Sequence, residues 1–441
     1  MMESLYELYF REYGALPPDR ALPLVRPDLT VAGILNQSTA GAFAQECRLL
    51  VLTEENWQQL LSTQAPGFLL CQPLINGNGE TEQLWPRQET DYKAITDFCR
   101  TYGIPTVYWD TAGPTCFPYN KNNALLFDHL FVSDPSWMAL YGKAGRPEVH
   151  FLPRGIARST LSPIKTACFA PGDTMMTKPA LRVLRENMST QTLTHRIGTI
   201  LSVLGVPDKF RSAGGVTVIT ATNKQGYMQN IFSNYDRQTY EPKELVVLLN
   251  NDSLDLAQWQ ARAALSKNVR VFRIDACRPL GHCLNHAIDN SSLPYVTKMD
   301  DDNYYAPDFL TDLVNGFYYA DAEIVGKLSY FIYLESSKTL ILMCPGMEHR
   351  YVNFVSGSAL VIKRSVFDAV RFSDVPVGSD SVFLSACVKQ GVRLYSADRY
   401  NYVYKRRASK EDHTSPVPDQ VFLQSCQYIG GLPEFEAFIS A

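Results

Sequence analysis

Asp300, Asp301 and Asp302 stand side by side, directly after the apolar stretch 294–299 and just before Tyr304 and Tyr305. Three adjacent carboxylates repel one another unless solvent or a cation screens them, so the segment reads either as a surface turn or as a metal socket. As a socket, a D-x-D pair holds a hard divalent cation through carboxylate oxygens and leaves coordination positions open for a diphosphate. Such a cation offsets charge growing on a departing nucleotide diphosphate. As a turn, the acids precede a helix opened by Pro307, an ordinary helix start. A calcium loop of the EF-hand type is excluded, because Tyr304 and Tyr305 stand where it needs an oxygen ligand and a glycine.

Other residue types could join this chemistry. Asp380 sits at the head of a helical pattern, 380–391, after a glycine-containing turn. A carboxylate there could take a proton from an incoming hydroxyl, or it could simply cap the helix. His413 is a candidate third metal ligand, with a plain surface histidine as the alternative. Arg406 and Arg407 suit phosphate oxygens. Polar residues also close two earlier strand-like runs, at Thr222-Asn223-Lys224 and at Asn250-Asn251-Asp252. In open α/β sheets ligands bind at the carboxyl ends of strands, so these ends are expected to converge on one crevice.

The elements that must position them follow from periodicity. In the first part, strands are expected at 29–37, 68–75, 104–110, 124–134 and 148–155. A helix over 91–103 stops at Gly103, and the alternation predicts a Rossmann-like parallel α/β domain over residues 1–156. Residues 157–213 change character: 180–206 is helical, broken by Pro207 and the flexible 212–215, and reads as a helical connector. A second α/β unit, 214–441, begins with a strand at 216–221. Further strands are expected at 243–252, 268–275, 295–302, 323–334, 353–364 and 393–400. The stretch 328–354 is dense in aromatics and reads as a loop shaping a sugar-binding pocket or as a core strand.

Bulk properties bound the rest. The 441 residues exceed one ordinary core, which implies two or three domains. A net charge of −4 and a pI near 6.0 argue against a nucleic-acid binder. No apolar run approaches the length of a membrane span, and the acidic amphipathic start is not a secretory leader. Peripheral membrane contact stays open. The ten cysteines form no CxxC pair, and reduced thiols in a cytoplasmic protein are expected.

From Val216 to about Ser415 the chain resembles the family 2 glycosyltransferases of GT-A fold. The resemblance rests on the opening strand, helix and second strand (216–253) and on the segment leading into the D-x-D motif with its following "YY-x-P-x-x-L" (281–310). It extends through the acceptor-side segments 355–372 and 378–396 to the late histidine of "HTS" (413–415). It implies a metal-dependent, inverting hexosyl-type transferase that takes a UDP- or GDP-sugar to a hydroxyl on a glycan or protein. Carried over, Asp380 is the general base, and Asp300, Asp302 and His413 hold Mn²⁺ or Mg²⁺. Thr220, Thr222, Asn250, Asp252, Lys298, Asp300, Asp301 and Arg406 contact the nucleotide sugar. The chain departs from the family at Ser379, where an acidic neighbour of the base is usual, and at Asn250-Asn251, where two aspartates are usual. Residues from about 27 to 153 resemble the N-terminal domain of CgeB-like spore-maturation glycosyltransferases, through 55–61, 99–114, 127–134 and 151–155. Relatives carry an acidic pair where Ala112-Gly113 precede Pro114. With the second Rossmann half missing, this domain is expected to bind or scaffold rather than catalyse. The rival readings are a nucleotidyltransferase using the same acids for two-metal chemistry and a non-catalytic sugar- or partner-binding module.

Overall fold

The computed structural model describes residues 11–18, 21–73, 85–86, 88–164, 176–208, 214–408 and 417–441. By contacts the chain divides into two units. One comprises residues 21–162 with 186–211, and the other residues 1–20, 163–185 and 212–441. The stretch read as a connector is therefore shared between them and forms no unit of its own.

The first unit is a six-stranded sheet of β1 (Arg26–Ile34), β2 (Cys47–Val51), β3 (Phe68–Cys71), β4 (Thr106–Asp110), β5 (His129–Val132) and β6 (His150–Phe151). Every pairing is parallel, in the order β2-β1-β3-β4-β5-β6. Parallel sheets need both faces covered, and the strands show it. Ala32, Leu69, Tyr108 and Leu130 join one core cluster with Tyr92, Ile95 and Cys99 of the helix Glu89–Thr101. Their neighbours Val31, Phe68, Val107 and Phe131 join a second cluster with Leu193, Ile197 and Ile200 of the helix Leu193–Val203. The strand period of two thus sends adjacent residues into opposite layers. Two strand expectations were too long: Ala124 ends a helix, Phe117–Ala124, and only His150–Phe151 pairs within 148–155. Gly103, at φ 65°, does close the helix Glu89–Thr101.

The second unit contains β7 (Val216–Thr222), β8 (Lys243–Leu249), β9 (Val269–Arg273), β10 (Tyr295–Lys298), β11 (Tyr304–Tyr305), β12 (Ile324–Gly326) and β13 (Tyr330–Leu334). It continues with β14 (Thr339–Met343), β15 (Arg350–Val352), β16 (Leu360–Lys363), β17 (Leu394–Ser396), β18 (Tyr402–Arg406) and β19 (Gln427–Gly431). An eight-stranded mixed sheet runs β15-β17-β12-β16-β10-β7-β8-β9, with β10, β7, β8 and β9 parallel and β16 antiparallel to β10. A five-stranded sheet runs β11-β18-β13-β14-β19. The α/β architecture is the expected one, a Rossmann-like parallel domain and a GT-A-like mixed-sheet domain.

Residues 323–334, expected as one strand, are two strands in different sheets. The chain bends at Lys327, a fully buried cation held by Asp398 at 3.1 Å. The aromatic stretch 328–354 is mainly the β13–β14 hairpin and not a loop. Among the described residues, no helix is long and apolar enough to cross a membrane. The nine described cysteines are free thiols, all buried except Cys277.

Candidate active site

β7 and β10 lie side by side, and threonines stitch their carboxyl ends together. The hydroxyl of buried Thr220 donates to the Met299 carbonyl at 2.9 Å, and that of Thr222 donates to Asp301 Oδ2 at 2.5 Å. The acidic triplet leaves β10 in a turn whose backbone is held from several directions. Asn230 Nδ2 donates to the carbonyls of Asp301 and Asn303, at 2.7 and 2.9 Å, and Asn234 Nδ2 to that of Asn303 at 2.9 Å. The Tyr305 hydroxyl accepts from the Asp300 N–H and donates to the Ser358 carbonyl, both at 2.8 Å. Asn303 is fully buried and accepts from the Lys405 N–H at 3.0 Å. A solvated turn would not be tied this way. Nor do the acids cap the following helix, since β11 intervenes and the helix Phe309–Tyr319 starts after Asp308.

Lys298, the last residue of β10, connects the triplet to Asp380. Its buried ammonium lies 2.7 Å from Asp300 Oδ1 and 2.8 Å from Asp380 Oδ2. Burial alone would lower its proton affinity, but the two carboxylates outweigh that and hold it firmly protonated. Asp380 is in the first turn of the helix Ser379–Lys389, two residues past its cap: the cap position belongs to Gly378, at φ 78°. Asp380 Oδ1 is buried and, among the described residues, receives no hydrogen bond. The 355–358 loop packs against this side chain so closely that a Cβ on Gly357 would come within 2.4 Å of the Asp380 Cβ. Only glycine permits that approach.

Burial raises the Asp301 carboxyl to about 7, with the Thr222 hydrogen bond opposing and Asp302 and Asp300 adding repulsion. Burial and the Asp300 charge raise Asp302 to about 6, with Arg407 opposing. Carboxylates whose anionic form is disfavoured by mutual repulsion are relieved by a cation. No three metal-ligating side chains converge among the described residues, and His413 lies outside them. Two carboxylates still suit a hard divalent ion of the kind that completes its shell with water and substrate phosphate. The donor set fits Mg²⁺ or Mn²⁺.

The remaining expected residues scatter. Asn250 follows β8 and spends its side-chain amide on the Asp275 carbonyl at 2.9 Å, while Asp252 is exposed in the next turn. Arg406 points away from the acids: its guanidinium bonds Asp419 at 2.9 Å and the Val417 carbonyl at 2.6 Å, and packs over Phe422. Its neighbour Arg407 faces them, reaching the Asp302 carbonyl at 3.4 Å. Arg406 ends β18 and Arg407 is the first residue beyond it. Sequence reasoning missed Asn230, Asn234, Asn303, Tyr305, Ser358 and Gly357, which shape the turn. The one available signal was the four-residue spacing of Asn230 and Asn234, which puts both on one face of the helix Met228–Asp236.

Comparison with known proteins locates the same region. Residues 217–365 match the family model of Glycosyl transferase family 2. No curated protein matches the chain. Among solved structures, Staphylococcus aureus TarS 1–349 is similar at 15% identity, over 43% of this chain and 60% of that one, with a TM-score of 0.34. The same protein in complex with UDP-GlcNAc is similar at 13% identity, over 48% and 64%, with a TM-score of 0.35. The mannosyltransferase PcManGT from Pyrobaculum calidifontis, in complex with GDP-Man and Mn²⁺, is similar at 18% identity, over 53% and 68%, with a TM-score of 0.35. The chain spans less than two thirds of the length of the first of these structures. Likenesses this distant say nothing about activity.

Proposed function

We propose that the C-terminal unit is a metal-dependent, inverting glycosyltransferase that moves a sugar from a nucleotide-diphosphate donor to a hydroxyl acceptor. The observation that carries this reading is Asp380. Lys298 holds it beside Asp300, in the unit whose residues 217–365 match the family 2 model.

Lys298 donates to Asp380 Oδ2 and fixes the carboxylate in place. The acceptor O–H gives its proton to the Asp380 carboxylate while its oxygen forms the new bond to the anomeric carbon. The bond from that carbon to the diphosphate oxygen breaks, and its electron pair departs with the nucleoside diphosphate. A single displacement of this kind inverts the anomeric centre. Asp300 and Asp302, with His413, are the residues that would hold Mn²⁺ or Mg²⁺, which when bound supplies Lewis-acid stabilisation of the leaving diphosphate. Thr222 and the Asn230–Asn234 pair keep the acidic turn in place, and Arg407 offers a cation on the same side. The free thiols suit a reducing, cytoplasmic setting. The N-terminal unit, CgeB-like in sequence, takes no part in the chemical step.

The purified chain is incubated with UDP- and GDP-sugars and Mn²⁺, and its products are resolved. Release of nucleoside diphosphate together with a glycosylated acceptor supports the proposal. Pyrophosphate in its place would mean nucleotidyl transfer. No turnover of any donor would leave a binding module.

A further inference from the structure

The N-terminal unit has a cavity of its own. It measures about 340 Å³, in the lower range of small-molecule sites. Asn36, just past β1, Gln72, just past β3, and Trp109 and Thr111, at the end of β4, line it. It therefore opens at the carboxyl ends of the strands. In the order β2-β1-β3-β4-β5-β6 the chain reverses direction between β1 and β3, and a parallel sheet has its ligand crevice at such a switch point.

The wall chemistry narrows the occupant. Gln72 is 1% exposed, yet among the described residues its Oε1 meets no donor, while its Nε2 makes only a long 3.5 Å contact with the Thr111 hydroxyl. In either orientation of the amide one end is left over, and a buried unpaired amide end is costly. A phosphodiester offers only acceptors and cannot satisfy a leftover Oε1. A hydroxyl donates and accepts, so it satisfies either orientation. Among the described residues the rest of the lining is mainly neutral: Asn36, Ser38, Thr111 and the Trp109 ring, with Arg154 as the one charged side chain. Arg154 is fixed by the Thr111 carbonyl at 2.8 Å. The turn after β1 reads Leu35-Asn36-Gln37-Ser38-Thr39 and lacks the glycines of a dinucleotide-phosphate loop.

We infer that this cavity binds a saccharide of one or two rings, recognised by its hydroxyls through Gln72, Thr111 and Ser38, as a second carbohydrate site on the chain. Binding to the full-length protein is measured calorimetrically with a panel of probes: the methyl glycosides of glucose, mannose, N-acetylglucosamine and glucuronic acid, two disaccharides, and inorganic phosphate. At least one saccharide should bind, and Gln72→Leu should weaken it tenfold or more. Thr160→Trp, on the exposed rim of the same cavity, provides a second block should Gln72→Leu fail to fold. Binding should persist in Asp300→Ala, which separates this site from the C-terminal crevice. The inference is overturned if no saccharide binds at millimolar concentration, if only phosphate binds, or if the cavity variants bind as well as the unmodified chain. Loss of binding in Asp300→Ala would overturn it equally, by assigning the sugar to the other unit.

Discussion

Two sheets in this molecule present polar groups at the carboxyl ends of parallel strands, and they present different chemistry. In the N-terminal sheet the ends of β1, β3 and β4 surround a cavity lined mainly by neutral amides and hydroxyls. In the C-terminal sheet three carboxylates follow β10, beside the end of β7, and a buried lysine links one of them, Asp300, to a fourth, Asp380. The sheet dictates where a ligand can sit. The residues just beyond each strand decide whether that place holds a neutral polyol or a metal-bound diphosphate. Charge is also costly to bury, so the acidic end carries the denser scaffold: Asn230, Asn234, Asn303 and Tyr305 all serve to hold one turn.

The largest expected effect on this contrast comes from Asp380→Asn. It removes the proton acceptor and keeps the shape, so transfer should fall roughly 10³-fold while donor affinity changes little; full turnover in that variant would remove Asp380 as the base. Gly357→Ala comes next. The added methyl must push Asp380 aside, and a shift of about 1 Å in a reacting group costs on the order of 10²-fold in kcat. Steady-state kinetics of the folded variant would show this, and unchanged kcat would mean that the loop yields instead. Lys298→Met should act on stability as well as on rate, since it leaves Asp300 and Asp380 facing each other. The cost in urea unfolding should be about 2 kcal/mol, below that of a fully buried pair because both carboxylates reach solvent. The smallest effect separates two adjacent arginines. Arg407→Ala should raise the donor KM about tenfold, equivalent to about 1.4 kcal/mol, and Arg406→Ala much less. Equal shifts in KM would mean that the direction each arginine faces does not matter.

What could be read from the sequence divides along the same line. The acidic triplet, Asp380 and the polar strand ends at Thr222 and Asn250 stood out in the sequence, each with a plain turn or helix cap as the alternative. Lys298 and Asp380 lie far apart in the chain, and only the pairing of β10 with β7 and β16 brings the lysine beside the helix that carries Asp380. Arg406 looked as suitable as Arg407 until the direction each faces was known. The N-terminal cavity was invisible, since Gln72 is an unremarkable glutamine until β3 ends at Cys71 and burial leaves its amide without a full set of partners. The strand Cys47–Val51 left too short a pattern to register, and the break at Lys327 hid inside an apolar run that looks continuous.

The central claim is that the acids after β10 clamp a divalent cation against a diphosphate. Thermal unfolding of the chain with UDP or GDP, in the presence and absence of Mn²⁺, tests it most directly, because a ligand that binds only the folded state raises the midpoint. The expected result is a rise that needs Mn²⁺ and nucleotide together and disappears in Asp302→Asn. Identical midpoints with and without the metal, or an undiminished rise in Asp302→Asn, would contradict the claim.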